Sequence, residues 1–186
     1  MNAEITVPRR EKIFSSLNDK EAIILFAAEE AQLEKFKQDN DFLYLTGLEI
    51  PEAIYFAYNN RNFVTEMLFI QRSDPEKAIW TGTRMSREDA AKISGLDLVK
   101  IHYLDEFLEI LSTYCPIISK IWANIGIQEL DKPPSRQLFK LSPIRKRYPN
   151  IIIESIETLI TPFRKVKEEW ELQQLQRAID ITGKAI

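Results

Sequence analysis

The run Glu21-Ala22-Ile23-Ile24-Leu25-Phe26-Ala27-Ala28 places seven apolar residues in a row behind one carboxylate. A strand with one face toward water alternates polar and apolar side chains, so a run this continuous reads as a buried strand at the centre of a sheet. Two further β-rich runs, 52–58 and 63–70, flank Asn59-Asn60-Arg61-Asn62. The asparagines tolerate the left-handed backbone that a tight turn requires, which predicts an antiparallel hairpin. A charged helix over 9–18 is expected to open the chain.

Downstream the pattern changes. Ser86 and Asp89 have capping-box-like spacing ahead of a short helix, and Gly95 is placed to end it. The residues 96–101 read as a strand, and 104–114 as a helix with Leu104, Phe107, Leu108 and Leu111 on one side. The β-branched run 117–125 comes next. Asp131, Pro133 and Pro134 suit a helix start, with Pro149 ending that helix after Tyr148, and 151–154 supplies one more strand. An early hairpin followed by strand and helix in alternation implies an α/β domain, a mixed β-sheet with helices on its faces. The last segment carries Trp170, Leu172, Leu175, Ile179, Thr182 and Ile186 at helical spacing up to the final residue. Two readings stand: a helix cut off in mid-course, or a terminal helix packed back on the domain.

Charge and special residues narrow the chemistry. A formal net charge of −3 supplies no basic field for nucleic acid, and Arg145-Lys146-Arg147 is expected to be a solvated helix face. The segment 1–10 lacks the apolar core of a signal peptide and no run is apolar enough to span a bilayer, so neither a membrane nor a nucleic-acid partner is expected, and a cytoplasmic address is. The single cysteine, Cys115, is expected to be a buried, inert thiol. The single histidine, His102, has no second histidine to pair with at a metal and is expected to be structural or exposed. Asp39, Asp41 and Glu49 lie close enough in sequence for a carboxylate-only cation site, but without EF-hand spacing or its glycine. The serine-hydrolase elbow, the phosphate-binding loop and the dinucleotide fingerprint are absent.

The stretch Gln38-Asp39-Asn40-Asp41-Phe42-Leu43-Tyr44-Leu45-Thr46-Gly47, followed by Pro51-Glu52-Ala53, resembles the hallmark of the N-terminal domain of Xaa-Pro aminopeptidases (aminopeptidase P), in the creatinase or pita-bread metallopeptidase family. Lys37 stands where family members usually have arginine, which removes a bidentate fork at that position. Ala78-Ile79-Trp80-Thr81-Gly82-Thr83-Arg84 resembles the family's tryptophan, glycine and arginine segment. Arg164-Lys165-Val166-Lys167, then Glu171-Leu172 through Ala178 and Ile181-Thr182, resemble its linker and the first helix of its catalytic domain.

The resemblance implies a creatinase- and prolidase-like N-terminal fold with a ribonuclease H-like motif over 1–163, and the linker and first catalytic helix over 164–186. The intact enzyme would use two divalent metal ions, usually manganese, held by two aspartates, a histidine and two glutamates of the catalytic domain. This chain would then hold no catalytic or metal residue and be inactive alone. The resemblance makes Trp80 a contributor, in trans, to a neighbouring subunit's substrate pocket, with Arg84 bracing its loop; the alternative is that Trp80 covers its own core. Asp41, Tyr44, Gly47 and Gly82 are expected to act mainly structurally: permissive backbone at the glycines, a core position for Tyr44, and either a turn cap or a substrate contact for Asp41. The implied partners are proline-containing peptides and further copies of the chain, with at most a weak dimer from these residues alone. Also open are a non-catalytic peptide- or protein-binding module of the same fold, and the corresponding domain of a prolidase or creatinase.

Overall fold

A computed structural model describes residues 3–30, 35–73 and 84–185. Its centre is β1 (Glu21–Phe26), every residue of which is buried. On one side β1 pairs antiparallel with β2 (Ile54–Asn60), which pairs antiparallel with β3 (Phe63–Ile70). Parallel to β3 runs β4 (Ile101–Tyr103). On its other side β1 pairs parallel with β5 (Lys120–Ala123), and β5 with β6 (Ile152–Ser155). The sheet is therefore mixed, in the order β4-β3-β2-β1-β5-β6, and β2 alone runs against the rest.

Because side chains alternate across a strand, β1 feeds two separate cores. Ile23 and Leu25 join Tyr55, Leu68 and Ile70 under α1 (Ala3–Phe14), α2 (Asn40–Thr46), α3 (Arg87–Ser94) and α7 (Glu157–Lys165). Ala22, Ile24 and Phe26 join Phe56, Phe69 and Ile121 under α4 (Phe107–Tyr114) and the pair α5 (Arg136–Lys140) and α6 (Ser142–Arg147). The α/β class and the mixed sheet with helices on both faces are as expected. A final helix, α8 (Glu169–Ala185), comes after α7. No helix among the described residues is long and apolar enough to cross a membrane.

Several boundaries differ from the expectations. The opening helix starts at Ala3 and runs through Pro8 to Phe14, whereas 9–18 was expected. Its inward face carries Thr6, Arg9, Arg10 and Ile13, so hydropathy hides the buried side, and tertiary contact overrides the proline penalty. Residues 98–100 form a 3₁₀ turn, leaving only Ile101–Tyr103 as strand, and Leu98 and Val99 are exposed there. The helix expected from Asp131 begins instead after Ser135, whose hydroxyl accepts the Leu138 amide, and it breaks at Leu141 ahead of Pro143. Pro133 and Pro134 hold the preceding backbone extended, so they delay the start. Cys115 is buried at the end of α4, and burial pushes its thiol above the ordinary range, as an inert core thiol requires.

The hairpin forms, but its turn is made by Arg61 and Asn62, with φ of 51° and 69°. Asn60 pairs with Phe63, leaving a two-residue loop that needs positive φ at both positions. Asn59 belongs to the strand, and its side-chain amide donates to the carbonyls of Leu17 and Asn18 at 2.9 and 3.0 Å. An arginine pays for the left-handed backbone with steric strain that asparagine largely escapes. Replacing exposed Arg61 by asparagine should raise stability by about 0.5–1 kcal/mol, read as a higher urea midpoint at unchanged slope.

Candidate functional site

The segment 38–47 explains itself residue by residue. Gln38 is buried; its carbonyl accepts the Ala28 and Asp39 amides at 2.7 and 2.9 Å, and its amide donates to the carbonyls of Leu48 and Ile50 at 3.1 and 2.7 Å. One side chain thus ties the exit of β1 to the far end of α2. Asp39 caps α2, accepting the amides of Asp41 and Phe42 at 3.0 and 2.9 Å. At the other end Gly47, with φ of 72°, turns its amide back to Leu43 at 2.8 Å. This left-handed cap is the conformation glycine takes without strain.

Asp41 and Tyr44, one turn apart on α2, face the start and end of the chain. Asp41 is nearly buried and its Oδ1 accepts Arg164 Nη1 at 2.7 Å. Burial pushes the Asp41 carboxyl above the ordinary range, with Asp39 and Glu157 adding to the rise and Arg164 opposing it. Tyr44 lies between two guanidiniums: Arg9 Cζ is 4.1 Å and Arg164 Cζ 5.7 Å from its ring centroid. Burial raises the Tyr44 phenol too, so it stays neutral. Arg9 is fully buried and reaches Glu168 at 2.9 Å and Glu171 at 3.2 Å. Beside it, Arg10 Nε lies 2.6 Å from Glu66, whose same oxygen accepts the Tyr55 hydroxyl at 2.8 Å, and Arg10 Nη1 donates to the carbonyls of Leu45 and Ser94. Sequence reasoning missed Arg9, Arg10 and Glu168. Their only signal was a pair of adjacent cations in a helix with no apolar stripe.

A second group borders an open cavity of about 750 Å³, lined in part by Glu49, Ile50, Ile70, Met85 and Lys92. Arg84, also on its wall, grips Glu30 with both terminal nitrogens at 3.2 and 2.8 Å. The hydrogen bond from Arg84 holds the Glu30 carboxyl below its ordinary value. Glu29, the preceding residue, pairs with Arg136, which also contacts both carboxylate oxygens of Glu52 at 3.1 Å. Trp80 and Gly82 lie outside the described residues.

Asp39, Asp41 and Glu49 do not converge: one caps a helix, one pairs with Arg164, and one lines the cavity. Among the described residues no three His, Cys, Asp or Glu side chains come together as a metal site, so these residues do not fit a dinuclear centre. His102 stacks on Phe69 at 5.4 Å, with Nδ1 3.3 Å from Glu106. Arg145, Lys146 and Arg147 are exposed at the end of α6. The arrangement orients chain segments.

The raised Asp41 carboxyl has a measurable sign. The folded protein binds this proton more tightly than the unfolded chain, so Asp41 costs stability as pH rises from about 4 through its folded value. The stability of Asp41→Asn relative to the parent should therefore increase as pH rises from about 4 in urea titrations. A difference that does not change with pH would refute the assignment.

Comparison with known proteins places this geometry. The sequence model of the aminopeptidase P N-terminal domain matches residues 7–121. Mouse Xaa-Pro aminopeptidase 3 is 29% identical over 159 residues, covering 81% of this chain and 30% of that protein. The Xaa-Pro aminopeptidase of Haemophilus influenzae is 24% identical over 184 residues, covering 94% of this chain and 40% of that protein. The chain thus spans well under half the length of these curated relatives. A Bacillus anthracis protein solved as a candidate aminopeptidase P superposes with a TM-score of 0.85 at 29% identity, over 93% of this chain and 42% of that one. Aminopeptidase P from E. coli in its low-pH form superposes with a TM-score of 0.84 over all of this chain and 44% of that one; at 19% identity it shows the shared fold. With more than half of its residues inside that sequence model and the mixed sheet in place, the chain belongs to the aminopeptidase P N-terminal domain family.

Proposed function

We propose that this chain is the N-terminal, non-catalytic part of a metal-dependent Xaa-Pro aminopeptidase, which removes the N-terminal residue that precedes proline in a peptide. The match over 7–121 carries the reading, supported by relatives that are Xaa-Pro aminopeptidases. In this reading 1–163 form the domain, and 164–186 are the linker and first helix of a catalytic domain supplied by further sequence. Two divalent ions, with manganese the metal proposed, belong to that further sequence, where they would activate water and polarise the scissile carbonyl. No step of that chemistry is assigned to residues of this chain.

What this chain contributes is access and assembly. Trp80 is proposed to reach a neighbouring subunit's substrate pocket in a homo-oligomer, and Arg84, anchored on Glu30 at the cavity edge, to brace the base of that segment. Asp41, Tyr44, Gly47 and Gly82 are given structural roles. The proposed substrates are proline-containing peptides and the proposed location is the cytoplasm.

The purified 186-residue chain with added manganese should not cleave an Xaa-Pro peptide, while the longer polypeptide carrying the metal ligands should. Turnover by the short chain at the rate of the longer one would overturn the domain assignment. Inactivity of the longer polypeptide would favour a binding module. In that polypeptide Trp80→Ala should lower kcat/KM by at least about tenfold, a loss of about 1.4 kcal/mol. Mixing it with subunits that keep Trp80 but lack a metal ligand should recover activity if the contribution is made in trans.

A further inference from the structure

The helix α8 starts without a good local cap. Its first turn is opened by Glu168, whose carbonyl accepts the Leu172 amide at 3.0 Å. A short hydroxyl or carboxylate side chain at this position would turn back to the free amides of the first turn. The Glu168 carboxylate turns away instead, to Arg9 at 2.9 Å and Lys12 at 3.2 Å. Only the reciprocal half of a capping box is local: the Glu168 amide donates to Glu171 Oε2 at 3.0 Å. Arg9 Nη2 then meets the other oxygen of Glu171 at 3.2 Å.

One buried guanidinium therefore holds both carboxylates that define the start of α8, 159 residues away in sequence. Its Nε donates to Glu168, its Nη2 lies within ion-pair distance of Glu171, and its face is backed by the Tyr44 ring at 4.1 Å. The two carboxylates lie at the positive end of the helix dipole, which favours them there. Burial alone would raise the Glu168 carboxyl, but bonds from Lys12 and Arg9 outweigh it and hold the group below the ordinary range. Past this first turn α8 has little else to hold it. Leu172, Leu175 and Ile179 are 48%, 51% and 62% exposed.

We propose that Arg9 is a positioning residue: a tertiary cap, shared by Glu168 and Glu171, that nucleates α8 and sets the direction in which it leaves the α/β domain. Arg164 secures the approach to the same turn, with its guanidinium on Asp41 and its carbonyl accepting Lys167 Nζ at 2.6 Å. Tyr44 is then a platform between two cations, and the segment 38–47 serves the junction. The inference concerns the helix and holds whether or not the longer protein is a peptidase.

The test uses the 186-residue chain. In Arg9→Met the amides of residues 172–178 should exchange at least tenfold faster than in the parent, while those of β1 and β2 keep their protection. Spin labels at Glu88→Cys and Arg177→Cys, with Cys115→Ala, should give one narrow distance distribution in the parent and a broad one with Arg9→Met. Arg9→Lys, which keeps the charge but loses the fork, should recover only part of the protection. The double variant Glu168→Gln/Glu171→Gln removes both Arg9 pairs, and the Lys12 pair with them, without touching the buried cation, and should reproduce both effects even where Arg9→Met fails to fold. Unchanged α8 exchange and an unchanged distance distribution in the double variant, or in a folded Arg9→Met, would overturn the proposal.

Discussion

Strand β1 has no face toward water, and this constraint propagates through the rest of the domain. A strand apolar on both sides must be flanked within the sheet and roofed above and below it. Antiparallel β2 and parallel β5 flank it. The helices α1, α2, α3 and α7 cover the side of Ile23 and Leu25, and α4 with α6 covers the side of Ala22, Ile24 and Phe26. At the strand's entrance, burial would raise the Glu21 carboxyl, but hydrogen bonds from Asn18 and Trp122 and the charge of Lys120 together hold it below the ordinary range. That carboxylate joins the incoming loop to β5, so the central strand is pinned where it enters as well as along its length.

The first core is bordered by charge on its helical side. Arg10 spans α1, α2 and α3 through the Leu45 and Ser94 carbonyls and reaches the sheet through Glu66. Losing one partner of such a buried pair costs about 3–5 kcal/mol, because the remaining charge is left uncompensated. Carbonyls at the ends of α2 and α3, which have no partner inside their own helices, find one in this guanidinium. Arg9, next to it, faces the other way, toward the first turn of α8. Two adjacent cations in one helix thus divide the work: Arg10 binds the domain together, and Arg9 holds the helix that leaves it.

This division gives the family segment a physical meaning. Its glutamine, aspartate, threonine and glycine shape and close α2, and its Asp41 and Tyr44 meet Arg164 and Arg9 at the junction. The cavity that Arg84 borders lies apart from this junction.

Periodicity and turn chemistry determined the α/β class, the buried central strand, the hairpin and the capped helix from Ser86 to Gly95, because each depends on neighbours a few residues away. Resemblance supplied the family. Local patterns did not locate the start of α1 or the 3₁₀ turn at 98–100, since burial of Arg9 and Arg10 and exposure of Leu98 and Val99 invert what hydropathy suggests. Nor could they show that Asp41 pairs with Arg164, or that Arg9 closes on Glu168 and Glu171. Those partners are 123 and about 160 residues apart, and only the folded sheet, which sets α1, α2 and α7 side by side, brings their charges within reach.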